Sequence, residues 1–424
     1  MDRQWFSFNR VFLVSILFFA FTTATSSQEI SAQKNDSAFF CGIKKEYAKG
    51  MSFTDFLQAC LIQWNPVNND SAKWEPFGVN ISTQIRYSGF DEIIRKLARS
   101  SVVNAYTASL TSADGRPIYC LEIGNGSKTV TFTAGVHARE VANPQFLLKF
   151  ASELVSEYEK GDTAIADLLT KVKLAVLPCV NPDGYEAATN GNGVIANKNL
   201  YLSASNNREV FQTKSNARGV DLNRNFPSYS ASFLWNEKKE ETYLIKTYRN
   251  SYFFAGDTLG SENETKVTMN FLMKYIPVSF RYVDFHSVGR SIFAGKPHLS
   301  DEFNKACLET GILISGITGY SLMGLDEENT GEGTDGSITD FAAEIAAGFA
   351  YNPVIGRLAP PDSVNLVRKT EMFNYHCSVN TVETLNSLAK DKKSNSLQVS
   401  TPPMHVDEWE KYHLYHLFLT LLKE

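Results

Sequence analysis

The sequence is short of several things, and each absence narrows what it can be. Its 424 residues hold six cysteines and no CxxC pair, so a cysteine-built zinc site is excluded. There is no excess of basic charge: the formal net charge is −5, and nothing points to nucleic acid. There is no internal repeat, heptad run or low-complexity tract. Past the N-terminus no run is apolar enough to cross a bilayer, so stable membrane insertion is not expected.

What is present begins with a targeting pattern. Arg3 and Arg10 flank an apolar stretch from Val11 to Phe21, broken only by Ser15, and small residues follow from Ala20. This predicts a secretory signal over residues 1–26 and a secreted or secretory-pathway protein. The apolar run is short for an uncleaved anchor. An even cysteine count permits disulfides in that setting. Cys41 is expected to pair with Cys60, and Cys120 and Cys179 sit in strand-like runs as buried thiols. Residues 27–83 are polar and irregular, with a helix-like patch from Phe53 to Trp64. They read equally well as an extension packed on the surface or as a propeptide covering the site.

From residue 84 the chain alternates strand-like and helix-like patterns. Tyr87–Leu97 is amphipathic and helical; Val102–Leu110, Ile118–Ile123 and Thr129–Thr133 read as strands. A helix is expected from Asn143 to Lys160 and a strand from Lys173, running into Asn181-Pro-Asp-Gly184, which reads as a loop. Helices follow around Thr265–Tyr275 and Phe303–Gly319, strands at Arg281–His286 and Asn380–Glu383, and a closing helix at Trp409–Leu422. The fold class is therefore α/β: a mixed, mostly parallel β-sheet sandwiched between helices, spanning residues 84–424.

The chemistry centres on Thr129-Val-Thr-Phe-Thr-Ala-Gly-Val-His137-Ala-Arg-Glu140. An apolar strand reaches a Gly turn and then presents His137, Arg139 and Glu140. Neutral imidazole and carboxylate are both zinc ligands, and a catalytic zinc takes three protein ligands plus an open position. HxxE alone is weak: His405-Val-Asp-Glu408 is a second copy, without supporting residues, and reads as surface. His286 closes an apolar strand and is a candidate third ligand, although a lone strand-end histidine is more often a satisfied core residue. The segment Arg218-Gly-Val-Asp-Leu-Asn-Arg-Asn225 adds an Arg between Asn residues, a chemistry suited to gripping a carboxylate. Its Asp can hold the far nitrogen of a zinc-bound His.

Taken in order, His137-Ala-Arg-Glu140, Asn181-Pro-Asp-Gly184, Gly219-Val-Asp-Leu-Asn-Arg-Asn225 and Phe285-His286-Ser287 resemble the motifs of the zinc metallocarboxypeptidases of the carboxypeptidase A type. The resemblance implies one Zn2+ held by His137, Glu140 and His286, with Asp221 behind the first His. It implies that Arg139, Asn223 and Arg224 bind substrate, the latter two at its terminal carboxylate, and that Glu383 is the general base. The substrates implied are peptide or protein C-termini, and a monomer is expected. Ile338 resembles the residue that sets side-chain preference, which implies apolar or aromatic side chains; a one-residue shift would put Thr339 there instead.

The sequence also departs from the family. The stretch from Ser337 to Glu383 is long, which leaves Glu344 and Glu371 as rival bases. The arginine expected near Val210–Gln212 is missing, with Arg208 the nearest replacement, and the family's mobile tyrosine has no match. Two other readings follow: a cell-wall peptidase of the same family, cleaving a γ-D-glutamyl to diamino-acid bond, or a homologue that binds peptide ends without cleaving them.

Overall fold

The computed structural model describes residues 51–67, 72–204, 213–232, 253–323, 336–352, 356–360, 377–385 and 401–423. The expected signal segment, Cys41 with its expected pairing to Cys60, Arg208 and Glu371 lie outside them. Gly50–Glu424 forms one compact unit.

The strands are β1 (Trp64–Pro66), β2 (Val103–Ala108), β3 (Tyr119–Ile123), β4 (Lys128–Ala134), β5 (Val172–Leu177), β6 (Ser279–Ser287), β7 (Ser291–Ala294), β8 (Ser321–Met323), β9 (Ala350–Asn352), β10 (Arg357–Ala359) and β11 (Ser378–Thr384). Among the described residues nine of them form one sheet, in the order β1-β2-β3-β5-β4-β6-β11-β7-β8, and β9 and β10 pair separately. The four central strands β5-β4-β6-β11 run parallel. β1, β2 and β3 add on antiparallel at one side, and β7 adds antiparallel to β11 at the other. The sheet is mixed and flanked by helices, the α/β architecture expected.

Apolar side chains cover both faces. Phe132, Phe146, Phe150, Phe285 and Phe418 pack on one, and Tyr106, Phe226, Phe271, Tyr282 and Phe341 on the other. β4 alternates threonine with apolar residues, and Thr129, Thr131 and Thr133 are as buried as Val130 and Phe132. Their hydroxyls are satisfied inside: Thr131 Oγ1 lies 2.7 Å from Ser279 Oγ, and Thr133 Oγ1 donates to Asp284 at 2.6 Å. A buried hydroxyl is tolerated only when it finds a partner, and these find theirs on the neighbouring parallel strand.

The helix predicted over Tyr87–Leu97 has those bounds. Three other elements differ from expectation. Asn181-Pro-Asp-Gly184 starts a helix, Pro182–Asn190, instead of a loop. Asn181 caps it by accepting from Gly184 N at 2.9 Å, and proline at the first helical position comes preorganised. The closing helix is two, Pro402–Lys411 and Leu414–Leu421, because His413 takes φ +54 between them. The expected N-terminal extension supplies part of the sheet edge: β1 pairs with β2, and Trp64 Nε1 donates to Asn270 at 2.8 Å. Helix Phe53–Cys60 lies beside Asn263–Tyr275, with Phe56 stacked on Tyr351 at 3.8 Å. Cys120 and Cys179 are buried free thiols, as expected.

Candidate metal centre and active site

Three central strands end at one place. β4 leaves the sheet through Gly135, at φ +69, where a Cβ would lie 2.8 Å from Pro144 Cγ. Only glycine fits such a turn without strain. His137 and Glu140 follow at once, and the helix Ala142–Glu159 begins behind them. Asn181 Nδ2 donates to both Val136 O and Ser215 O at 3.2 Å, tying the His137 turn to the segment before Asp221. The site thus sits beyond the carboxyl ends of parallel strands, where open α/β sheets place theirs.

His137, Glu140 and His286 are buried, and each offers a ligand atom within 4.8 Å of the others. His137 Nδ1 lies 2.7 Å from Glu140 Oε1, His286 Nδ1 lies 3.1 Å from Glu140 Oε2, and the two Nδ1 atoms are 3.3 Å apart. The far side of each ring faces a carboxylate. Asp284 is 2.6 Å from His286 Nε2, and Asp221 is 3.5 Å from His137 Nε2. Asp284 favours the Nε2–H tautomer of His286, Asp221 faces the same nitrogen of His137, and the two Nδ1 atoms converge on one point beside a carboxylate. Two imidazoles and a carboxylate converging in this way fit a zinc ion. Burial pushes the Asp221 carboxyl up, but the His137 hydrogen bond and charge, with Arg224 and Lys214, hold it well below the usual range. Asp284 was not singled out from the sequence. The signal was there: it precedes His286 by two in a strand, and so lies on the same face.

Glu383 stands opposite His286 in the parallel register of β11 and β6. Burial raises its carboxyl to about 7, with Glu140 adding to the shift while His286, Lys214 and Arg139 oppose it. Its Oε2 is buried with no hydrogen-bond partner among the described residues. Lys214 is the residue that the sequence reading missed. It is a half-buried cation whose ammonium is held below its usual range by desolvation, then by Arg139 and Arg224, against the pull of Asp221 and Glu140. It follows by a few residues the position, near Val210–Gln212, where the resemblance implies an arginine.

Asn223 and Arg224 lie on the short turn Leu222–Arg224, capped by Asp221. Asn223 Oδ1 accepts from Ile338 N at 3.0 Å, at the start of helix Ile338–Ala346, which turns its amide N–H2 away from that helix. Arg224 Nη1 donates to Asn223 O at 2.8 Å, while its buried Nε has no partner among the described residues. Its guanidinium and the Lys214 ammonium both sit over the Phe253 ring, at 5.6 and 5.4 Å. Ile338 is fully buried. Thr339, not Ile338, lines a small cavity, together with Lys296 and Thr381.

Of the two rival bases, Glu344 is the one the structure describes, and it is otherwise occupied. Glu344 accepts from Tyr229 N at 2.5 Å and Ser230 N at 2.8 Å, a structural carboxylate. The second HxxE is not on the surface: His405 and Glu408 are both fully buried. The reason lies far off in sequence, because Glu408 is neutralised by Arg290 at 2.6 Å.

A family model described as zinc carboxypeptidase matches residues 91–315, just over half of the chain. The chain belongs to the zinc carboxypeptidase family. This family's metal is zinc, in keeping with the donor set above. The chain is similar to the human carboxypeptidase N catalytic chain, 30% identical over 166 residues that cover 36% of this chain and 33% of that one. It is similar to carboxypeptidase B of Helicoverpa zea, 31% identical over 203 residues covering 46% and 40%. The match thus spans between a third and two fifths of these relatives' length. Among solved structures, carboxypeptidase A from Helicoverpa armigera shares the fold, with TM-score 0.53, 18% identity and coverage of 81% and 74%. Bovine thrombin-activatable fibrinolysis inhibitor, in complex with tick carboxypeptidase inhibitor, does so with TM-score 0.52, 18% identity and coverage of 81% and 99%.

Proposed function

We propose that this zinc carboxypeptidase family member is a secreted metallocarboxypeptidase that removes C-terminal residues from peptides or proteins. The observation that carries the reading is the register of Glu383 on His286, which sets a carboxylate titrating near neutrality beside three converging ligand atoms. His137, Glu140 and His286 would hold the ion. The chemistry supplied by a bound zinc ion is Lewis acidity toward the scissile carbonyl and the attacking water.

The chain's own residues do the rest. Glu383 accepts the proton of the attacking water and passes it to the leaving amine; a base with a pKa near the working pH suits both transfers. Lys214 and Arg139 place positive charge beside Glu383, where the tetrahedral oxygen gathers negative charge. Asn223 and Arg224 hold the substrate's terminal carboxylate, with the buried Arg224 Nε as the waiting donor. That grip places the bond one residue from the chain end at the base.

The same proposal takes residues 1–26 as a cleaved signal, supported by Arg3, Arg10 and the apolar run after them. It takes residues 84–424 as the catalytic part, acting as a monomer, with β1 from the preceding extension on its sheet edge. Among the described residues no helix is long and apolar enough to cross a membrane.

The test is turnover on paired peptides that differ only in a free or amidated C-terminus, with zinc content measured on the same sample. Cleavage of the free peptide alone, at one zinc per chain, is expected. Equal cleavage of both removes the carboxylate grip and favours the endopeptidase reading. Zinc binding without any turnover favours the peptide-binding one.

A further inference from the structure

We propose that Glu408 is a positioning residue, a clamp that fixes the strand ends carrying His286 and Glu383. The inference rests on the reading of those two residues as metal ligand and base. Glu408 lies in helix Pro402–Lys411 and is fully buried. Its carboxylate accepts from Arg290 Nη2 at 2.6 Å and Arg290 Nε at 3.1 Å, from Leu385 N at 2.9 Å, and from the Tyr320 hydroxyl. Arg290 comes four residues after His286, and Leu385 two after Glu383. One carboxylate therefore grips the turns that follow both functional strands. The turns are also bonded to each other, Gly289 N donating to Leu385 O at 2.8 Å.

The backbone marks the same place. Among the described residues, the non-glycine residues at positive φ are Arg290 at +49, Leu385 at +59 and His413 at +54. The first two are bonded to Glu408 directly. The third follows Tyr412, over whose ring the Arg290 guanidinium sits at 4.0 Å. Left-handed conformations of such residues persist only where the surroundings over-determine them, and they gather at functional sites. Here the over-determining group is a single carboxylate. Because His286 and Glu383 are direct register partners, a shift of either turn changes the distance from base to metal. The second HxxE of the sequence then has a role: its Glu is the clamp, and its His packs edge-on against Phe146, with ring centroids 6.1 Å apart.

The test compares the full chain with Glu408→Gln, which keeps the shape and loses the charge, and with Tyr320→Phe, which removes one donor and is the milder change. Each is loaded with zinc for kinetics and with cobalt for visible absorption, well below its melting temperature. A misplacement near 1 Å costs about 10²-fold. So kcat is expected to fall by about that factor in Glu408→Gln and by about a tenth of it in Tyr320→Phe, with KM held within about twofold. The cobalt bands of both variants are expected to shift from the wild-type position. Unchanged kcat and unchanged cobalt bands in folded variants, whatever their melting temperature, would reduce Glu408 to a fold-supporting residue and overturn the clamp. If Glu408→Gln does not fold, Tyr320→Phe decides on the same criteria. An inactive wild type would count against the site reading instead, and the cobalt comparison would still decide the clamp. A wild type that takes up no cobalt overturns both.

Discussion

Glu383 and His286 are each next to last in a strand, and they lie side by side across the parallel β11–β6 pair. Residues nearly a hundred positions apart are thus delivered to one spot by backbone hydrogen bonding. Nothing about the spacing in the sequence does this; the shared sheet edge does.

Lys214 is expected to carry much of the electrostatic stabilisation at this edge. Lys214→Met should lower kcat by about 10²-fold, the usual effect of losing one oxyanion partner, and change KM little. Lys214→Arg should recover most of the loss, since it restores the charge. Steady-state kinetics on one peptide decides it, and wild-type kcat in the methionine variant removes Lys214 from this role.

Much of the fold could be read from the residues alone. The strands around Phe132 and Phe285 are apolar runs bounded by turns, and the Tyr87 helix has a clean amphipathic period. His137, Glu140 and His286 were legible because one motif offers two ligands, three residues apart, and a second strand-end motif offers the third. What escaped depends on partners distant in sequence. β1 and β8 are three residues long, too short to show a period. Glu408 looks like surface charge until Arg290 and Tyr320 fold onto it. Lys214 escaped because the family resemblance implies an arginine at a nearby position, and only the folded loop brings the Lys214 charge within electrostatic reach of Glu383.

Stability should depend on pH through Glu264. This buried carboxyl accepts from Ala113 N at 3.1 Å and Asn216 Nδ2 at 3.3 Å, yet burial, Asp183 and Glu262 push it up to about 8. Unfolded, it titrates near its ordinary value of about 4.3. Between those values the folded chain keeps a proton that the unfolded chain has released. Its contribution therefore falls as pH rises through that window, by about 1.4 kcal/mol per unit, and levels off above it. Thermal unfolding of wild type and Glu264→Gln from pH 5 to 8.5 should show the variant gaining on the wild type as pH rises. Parallel curves would contradict this.

A chain that starts at residue 84 should be less stable than one that starts at residue 50. It loses β1, the Phe56–Tyr351 stack and the Trp64–Asn270 hydrogen bond. Loss of the buried Phe56 alone costs about 1.5–3 kcal/mol. Denaturant unfolding of the two forms measures the difference. Equal midpoints would show that residues 51–66 detach freely, as a removable propeptide does.

The central claim is that Glu383 serves a zinc ion held by His137, Glu140 and His286. The most direct measurement is turnover of Glu383→Gln in a preparation whose zinc content is determined on the same sample. The account predicts one zinc per chain, as in the wild type, with kcat lowered by about 10²–10⁴-fold. A fully loaded variant that turns over at the wild-type rate would contradict it.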